Sequence, residues 1–449
     1  MGYLKTRAAA LLILLPLWAA GCDSCTGDDP NDPPPPPPQA PTGLTATALS
    51  SERIDLSWTD NADNEAEFRI ERSADGGATW TEIARPPANT TSYADLGLTP
   101  GTAYSYRVRA VNSGGASAWA GPASATTRAR AWTSLPTGPS ARLDHAAIYD
   151  PVGQRMILFG GLTATGATND VWELTLPSSG SPAWTQLTPS GTPPSARSGH
   201  SAIYDPIGKR VIVFGGDDGT SPLPTAVHAL RLDTNPASWS TLAVSGTPPP
   251  GRLYHGAVYV PDPSNPRMVI YGGNDLSTSM ADVWQLTLPA SGTPTWTQLS
   301  PIDSPGVRDR HVLVYDAANA RILTFGGNDG NAGSDPYTDA TWALGFSPLQ
   351  WTLLAASTPP FPRYGAAGIF DPLHGRLTVF GGDDTTVPMD NAVWILGPSS
   401  WSTPAVSGGP PAGRWGHSAI YDELNRRMVI FGGLDETFTS LNDAWALDL

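Results

Sequence analysis

The sequence predicts an all-β protein with two folded parts, a small β-sandwich followed by a six-bladed β-propeller. Three observations lead there. Glycine doublets recur at Gly160-Gly161, Gly215-Gly216, Gly272-Gly273, Gly326-Gly327, Gly381-Gly382 and Gly432-Gly433, at intervals of 51 to 57 residues, a period that marks a repeat array. The 449 residues include 47 Gly, 46 Pro and 16 Trp, which favours short strands and turns over helices, and no long stretch beyond the N-terminus has a 3.6-residue periodicity. Each doublet also has the same neighbours: two alternating apolar runs joined by a turn before it, and two further strand-like runs after it.

Taken in order, residues 1–21 read as an export signal, with Lys5 and Arg7 as its positive end and Ala8 to Leu17 as a short apolar core. That core is too short for a permanent membrane span. Ala19-Ala20-Gly21-Cys22 resembles a bacterial lipobox, with Ala19 where that family usually has Leu. The resemblance implies acylation of Cys22 and a cell-envelope lipoprotein, at the outer membrane or cell surface. Cleavage by the ordinary signal peptidase, giving a secreted form, is the alternative. Residues 22–39 form an acidic and then proline-rich linker whose run Pro33 to Pro38 reads as an extended spacer. Cys25 is the only other cysteine, so the folded parts hold no disulfide.

Residues 40–128 alternate at Ile54 to Trp58, Phe68 to Arg72, Trp80 to Ile83 and Tyr104 to Val111, with turns between. The run Leu98-Thr99-Pro100-Gly101-Thr102-Ala103-Tyr104, with Trp58 as core tryptophan, resembles the tyrosine corner of a fibronectin type III domain. Ser73 to Trp80 has the spacing of a sialidase Asp-box, and Asp75-Gly76-Gly77 reads there as a hairpin turn. Only Arg128 to Ala131 lead on to the next part, which predicts little free swing.

Residues 132–449 hold the repeats. Around Gly215-Gly216, strands at His200 to Tyr204 and Val211 to Phe214 flank the turn Asp205 to Gly208. A third strand such as Asp170 to Leu174 and a fourth such as Trp184 to Leu187 complete four strands per unit, a propeller blade. The apolar strand into Gly-Gly, the Asp-Val-Trp segment and the Trp-Thr segment together resemble kelch repeats over about 70% of the chain. Fourth strands start near Trp132, Trp184, Trp239, Trp296, Trp351 and Trp401, one of them before the first doublet and none after the last. The stretch near Trp132 is therefore expected to complete the blade that ends at Asp443 to Leu449, closing the ring with N-terminal and C-terminal strands of one blade.

Strand alternation puts the first-to-second hairpins on one face of the ring. The loops after each doublet and between blades lie on the other. Each interblade loop runs into Arg-x-x-His: Arg142/His145, Arg197/His200, Arg252/His255, Arg308/His311 and Arg414/His417, with Arg363 and Ala366 in the fifth blade. Histidines spread around an axis do not gather the roughly four ligands a metal needs. Repetition fits a structural task, such as arginine bonding a neighbouring carboxylate or carbonyl; a polar ring lining the channel mouth is the functional alternative. Asp217-Asp218, Asn274-Asp275, Asn328 to Asn331, Asp383-Asp384 and Asp435-Glu436 read as turns, with bound calcium as the alternative, and no other cofactor is expected.

The departures between repeats are His228 for the usual tryptophan, Tyr254 and Tyr364 beside ring arginines, Trp415 beside Arg414, and a long loop from Asn328 to Thr338. Aromatics beside arginines on a concave face suit a sugar or a peptide, and equally suit packing between blades. The candidate contact residues are thus Arg142, Arg197, Arg252, Tyr254, Arg308, Arg363, Tyr364, Arg414 and Trp415. The net charge of -15 opposes nucleic-acid binding. The reading favoured is a monomeric, non-enzymatic binding protein for a protein or glycan. The alternatives are a sugar epimerase or mutarotase, as in six-bladed bacterial relatives, and a purely structural envelope protein. Copper chemistry of the galactose-oxidase kind is disfavoured because it needs a cysteine in the propeller and none follows Cys25.

Overall fold

The computed structural model describes residues 33–220, 223–330, 336–384 and 389–449. The leader, Cys22 and part of the 328–338 loop lie outside the described residues, which contain no helix.

The sandwich packs a sheet of Thr42–Ala48, Arg53–Thr59 and Ser92–Leu96 on a second built around Glu67–Ser73 and Ala103–Asn112. Inward residues Ile54, Leu56, Trp58, Phe68, Ile70 and Val108 meet between them, as strand alternation requires. The Tyr104 hydroxyl accepts a bond from the Thr99 amide at 3.1 Å, which makes the expected tyrosine corner. Asp75 accepts bonds from Ser73 Oγ at 2.6 Å, Thr79 Oγ1 at 2.6 Å and the Thr79 amide at 2.9 Å, so the Asp-box spacing builds a capped turn. The proline run is not a free spacer: the Pro36 carbonyl accepts from Asn64 Nδ2 at 3.1 Å and Asn112 Nδ2 at 2.9 Å. An extended proline chain makes no internal hydrogen bonds, so its carbonyls are available to such donors.

Among the described residues, six antiparallel sheets of four principal strands follow. Their first strands are Ala146–Asp150, Ser201–Asp205, Gly256–Val260, Val312–Asp316, Ala367–Asp371 and Ser418–Asp422, and we number the blades 1 to 6 in that order. Each first strand touches those of both neighbouring blades, and the last returns to the first. Trp132–Leu135 pairs with Ala444–Asp448, with Leu447 opposite Trp132 and Ala444 opposite Leu135. The ring is closed as the strand order predicted.

One aromatic sandwich holds successive blades together. The outer-strand tryptophan of each blade packs on the second-strand aromatic of the blade before it, at 4.7 to 5.1 Å between ring centroids: Trp184 on Phe431, Trp239 on Phe159, Trp296 on Phe214, Trp351 on Tyr271, Trp401 on Phe325 and Trp132 on Phe380. The Arg-x-x-His histidines cover the other side of five of these rings, edge to face, as His255 does on Phe214 at 5.6 Å. In blade 5 the equivalent position is Ala366, and Phe325 has the tryptophan alone.

The doublets knit the same junctions by backbone. The second glycine of each donates its N–H to the carbonyl of the next blade's ring arginine, at 2.7 to 2.9 Å in all six junctions, including Gly433 to Arg142 across the closure. Gly273 shows why glycine is needed: its φ is +92°, and a Cβ there would stand 2.8 Å from the Leu253 carbonyl oxygen.

The two parts are joined by ion pairs and backbone bonds. Glu52 of the sandwich bridges Arg130 and Arg376, the latter at 3.0 Å, and the Ser51 amide donates to the Leu449 carbonyl at 3.0 Å. This agrees with the short connector.

Candidate functional site

The six ring arginines are the first sequence-derived candidates, and all are at most 3% exposed. Each donates from Nη1 to the carbonyl of the first glycine of its own blade's doublet, at 2.7 to 3.1 Å. Three also clasp a carboxylate with both Nη atoms: Arg142 on Asp170, Arg252 on Asp282 and Arg414 on Asp443, at 2.6 to 2.9 Å. The same aspartates accept the indole N–H of Trp172, Trp284 and Trp445, which explains the Asp-x-Trp spacing of the third strands. Arg363 reaches Asp390 at 3.2 Å. Blade 2 has Ala226 where the aspartate stands in blade 3, and Arg197 comes no closer to a carboxylate than 3.9 Å, at Asp218. Arg142, Arg197, Arg252, Arg308, Arg363 and Arg414 are therefore internal pins of their blades. Their guanidinium groups are enclosed and offer a ligand no surface, so they carry out the structural task that their repetition suggests, and their place among the contact residues is corrected.

The histidines are enclosed too. Burial and the adjacent arginines hold His200, His311 and His417 down to about 3, so they are neutral. His145 Nε2 pairs with Ser418 Oγ at 2.8 Å and His255 Nε2 with Ser201 Oγ at 2.7 Å. Where the preceding blade carries Ala146, Gly256 or Ala367 instead of that serine, Nε2 of His200, His311 and His417 has no hydrogen-bond partner. His228 lies apart from the axis on an outer part of blade 2, 3.5 Å from Thr241 Oγ1.

The accessible chemistry lies between arginine and histidine. The residue two after each ring arginine is Asp144, Gly199, Tyr254, Arg310, Gly365 or Gly416, and all six have positive φ, from 52° to 67°. They form a closed circle of backbone bonds around the axis: Asp144 to Gly416, Gly199 to Asp144, Tyr254 to Gly199, Arg310 to Tyr254, Gly365 to Arg310 and Gly416 to Gly365, each amide donating to the carbonyl at 2.7 to 2.9 Å. Glycine suits this left-handed backbone, yet blades 1, 3 and 4 place Asp, Tyr and Arg there. Those three side chains meet. The Arg310 guanidinium lies 3.7 Å from the Tyr254 ring centroid, and the Tyr254 hydroxyl donates to Asp144 Oδ2 at 3.2 Å.

The cluster lines a throat of about 140 Å³ together with the histidines behind it. Burial pushes the Asp144 carboxyl up to about 6 against the opposing pull of Arg310 and Tyr254. Burial and Asp144 push the Tyr254 phenol up to about 12. Tyr364 and Trp415, one position earlier in their blades, stand against Arg310 outside the throat lining. Tyr364 stacks 4.5 Å from Tyr337 and 5.7 Å from Trp415, with Arg310 5.7 Å from the Tyr364 ring and 5.8 Å from that of Trp415. Tyr254 thus lines the throat, and Tyr364 and Trp415 meet it through Arg310, all three of them partly buried. Asp144 and Arg310 escaped the sequence reading; the signal was present as non-glycine residues at a position that is glycine in three of six repeats.

Farther out on the same face stand Leu276, Phe361 and Phe438, 61%, 67% and 76% exposed, on the loops after doublets or between blades. The acidic loops are self-capped: Asp275 Oδ1 accepts from Ser277 and Thr278, and Asp435 Oδ1 from Thr437 and Thr439.

The family described as the KLHDC2/KLHL20/DRC7 Kelch-repeats domain matches residues 123–305 and 207–372, and the fibronectin type III domain matches 39–126. Adagio protein 3 of Arabidopsis thaliana is 29% identical over 299 residues, covering 64% of this chain and 46% of that protein. The leucine-zipper-like transcriptional regulator 1 homolog of Drosophila melanogaster is 28% identical over 308 residues, covering 65% of this chain and 29% of that protein. This chain spans less than half the length of either relative. Among solved structures, that titled "Structure of YjhT" aligns with TM-score 0.52 and 16% identity over 69% of this chain and 95% of that one, a likeness of fold. A closed ring of kelch-type blades and a family match over more than half the residues lead to one assignment: the chain belongs to the kelch-repeat family, with a fibronectin type III domain ahead of its propeller.

Proposed function

We propose that this chain is an exported, envelope-anchored interaction protein that takes a protein or glycan partner on the loop face of its propeller. The observation that carries the reading is the axial cluster of Asp144, Tyr254 and Arg310. A charged pair and an aromatic stand in a circle whose other members are glycine, with Tyr364 and Trp415 beside Arg310 and exposed Leu276, Phe361 and Phe438 farther out. Polar groups at the centre of an apolar-rimmed concavity are the arrangement of an interface hot spot. Kelch propellers commonly mediate protein interactions, which supports the protein arm. Anchoring is supported by Lys5, Arg7, the apolar core and Ala19-Ala20-Gly21-Cys22.

Peptide and glycan arrays probed with the wild type, Arg310→Ala and Tyr364→Ala test the face. Ligands captured by the wild type should be lost by about tenfold or more in both variants; equal capture places the contact elsewhere. Palmitate labelling that disappears in Cys22→Ser tests the anchor.

The raised Asp144 carboxyl beside Arg310 favours a second reading, acid-base chemistry on a sugar. Anomer exchange followed by NMR would show it as a rate abolished by Asp144→Asn.

A further inference from the structure

The opposite end of the propeller carries a second cavity that the loop-face reading does not use. The first strand of each blade carries an aromatic residue, Tyr149, Tyr204, Tyr259, Tyr315, Phe370 or Tyr421, one position before its end. The first strands ring the axis, so these six side chains gather into a bowl of about 420 Å³ on the hairpin face. Glu423, on the rim, is the only charged side chain among the lining residues.

The ground beneath the bowl is acidic but locally neutralised. Asp150, Asp205, Asp316 and Asp422 sit under the hairpins at 2% exposure or less, and each is paired within its own blade, to Arg155, Arg210, Arg321 and Arg427 at 2.7 to 2.9 Å. Those arginines are committed, and the bowl itself contains no cationic side chain. Burial and the carboxylate of the preceding blade push the phenols of Tyr149 and Tyr204 up to about 12, so they stay neutral. What the bowl offers a visitor is aromatic faces, phenol oxygens and one carboxylate.

That is the chemistry of a cation site. Two further facts select its source. Val152, Ile207 and Leu424, at the tips of the hairpins of blades 1, 2 and 6, are 76%, 45% and 38% exposed, and such an apolar rim fits a macromolecule better than a free ion. The sandwich occupies the blade 5 side of this face through Glu52 and Arg376, leaving the side of Val152 and Ile207 for approach. A planar guanidinium stacks on aromatic faces and pairs with a carboxylate at once. We infer that the bowl receives an arginine side chain of a partner protein, inserted along the axis from the hairpin face with apolar neighbours resting on Val152 and Ile207.

The test uses the intact chain and a labelled peptide with Leu-Arg-Leu at its centre, against the same peptide with citrulline, the neutral isostere of arginine. Fluorescence polarisation should detect the arginine peptide, with citrulline weaker by about tenfold, the difference expected for losing a cation among aromatics and a carboxylate. Glu423→Gln should weaken only the arginine peptide, and Tyr204→Ala both peptides, with near-ultraviolet circular dichroism confirming the fold. Arg310→Ala, which should lose loop-face ligands, should leave the affinity for both of these peptides unchanged, which separates this site from the loop face. Equal affinity for the two peptides, or an undiminished arginine affinity in Glu423→Gln, overturns the inference in favour of plain apolar docking. Failure of the arginine peptide to bind at millimolar concentration overturns it outright.

Discussion

Replacing Arg252 by methionine is the sharpest probe of the internal pins. The side chain is fully buried and donates to the Gly272 carbonyl at 2.9 Å, the Pro250 carbonyl at 3.1 Å and both oxygens of Asp282 at 2.6 and 2.9 Å. Methionine fills much of the volume but leaves Asp282 without its cation and Gly272 without its donor. Breaking such a pair costs about 3 kcal/mol at the lower end of its range, suited to a carboxylate that is 23% exposed, and an orphaned carbonyl adds about 1 kcal/mol. The expected loss is therefore about 4 kcal/mol.

Arg197→Met is the internal control. Arg197 has the same glycine carbonyl at 2.7 Å, but its carboxylate is 3.9 Å away and already held by Ser195 and Thr220. Burial draws its own pKa down, so removing it also relieves a desolvated cation. About 2 kcal/mol is expected, leaving a gap between the variants of a factor of about 30 in the unfolding constant. Urea unfolding of the propeller followed by tryptophan fluorescence measures both. The pH dependence fixes the cause. Burial pushes the Asp282 carboxyl up, yet Arg252 and Trp284 outweigh it and hold it below the ordinary value. The stability this contributes is present above pH ~4 and lost as pH falls through the lowered folded value. The difference between wild type and Arg252→Met should accordingly shrink below pH ~4. Equal costs for the two arginines at pH 7, or a pH-independent gap, would refute the clasp as the source of stability.

Three further outcomes follow from the same geometry. Ala146→Ser and Ala367→Ser give His200 and His417 the hydroxyl that Ser201 and Ser418 supply at other junctions, and each should raise stability by about 1 kcal/mol in thermal unfolding. Asp144 has a folded value raised to about 6, so its favourable term is complete below pH ~3.9 and lost as pH rises through 6; Asp144→Asn should stabilise by about 1 to 2 kcal/mol at pH 7.5, discounted for partial exposure, and leave stability unchanged near pH 3.5. Glu52→Ala removes the bridge to Arg130 and Arg376, and small-angle scattering should report a broader spread of distances between sandwich and propeller, with the propeller's unfolding unaltered.

Strand order and closure were legible because they depend on features repeated along the chain. The doublets, the outer-strand tryptophans and the alternation of segments such as Ser201–Asp205 each recur at matched spacing, and a stray tryptophan segment ahead of the first repeat has one place to go. The tyrosine corner was legible for a similar reason, since Tyr104 bonds a residue five positions away. The ring arginines were found in sequence with two roles open, a structural task and a contact face, because sequence spacing does not say whether a guanidinium points outward or folds back onto Gly215 or Gly272. Asp144 and Arg310 stayed hidden for the opposite reason. They are 166 positions apart, their meeting with Tyr254 depends on the curvature of the whole ring, and the one mark on them is that each stands where three of the six repeats have glycine.

Closure of the ring underlies every site placed here, and a cysteine pair tests it most directly. Ser134 and Trp445 lie opposite each other across the seam. With Cys22 and Cys25 replaced by serine, Ser134→Cys combined with Trp445→Cys should form an intramolecular disulfide in the oxidised, folded chain, whereas Ser134→Cys combined with Trp172→Cys in blade 1 should stay reduced. Absence of the first crosslink, or equal formation of both, would contradict the closed six-bladed ring.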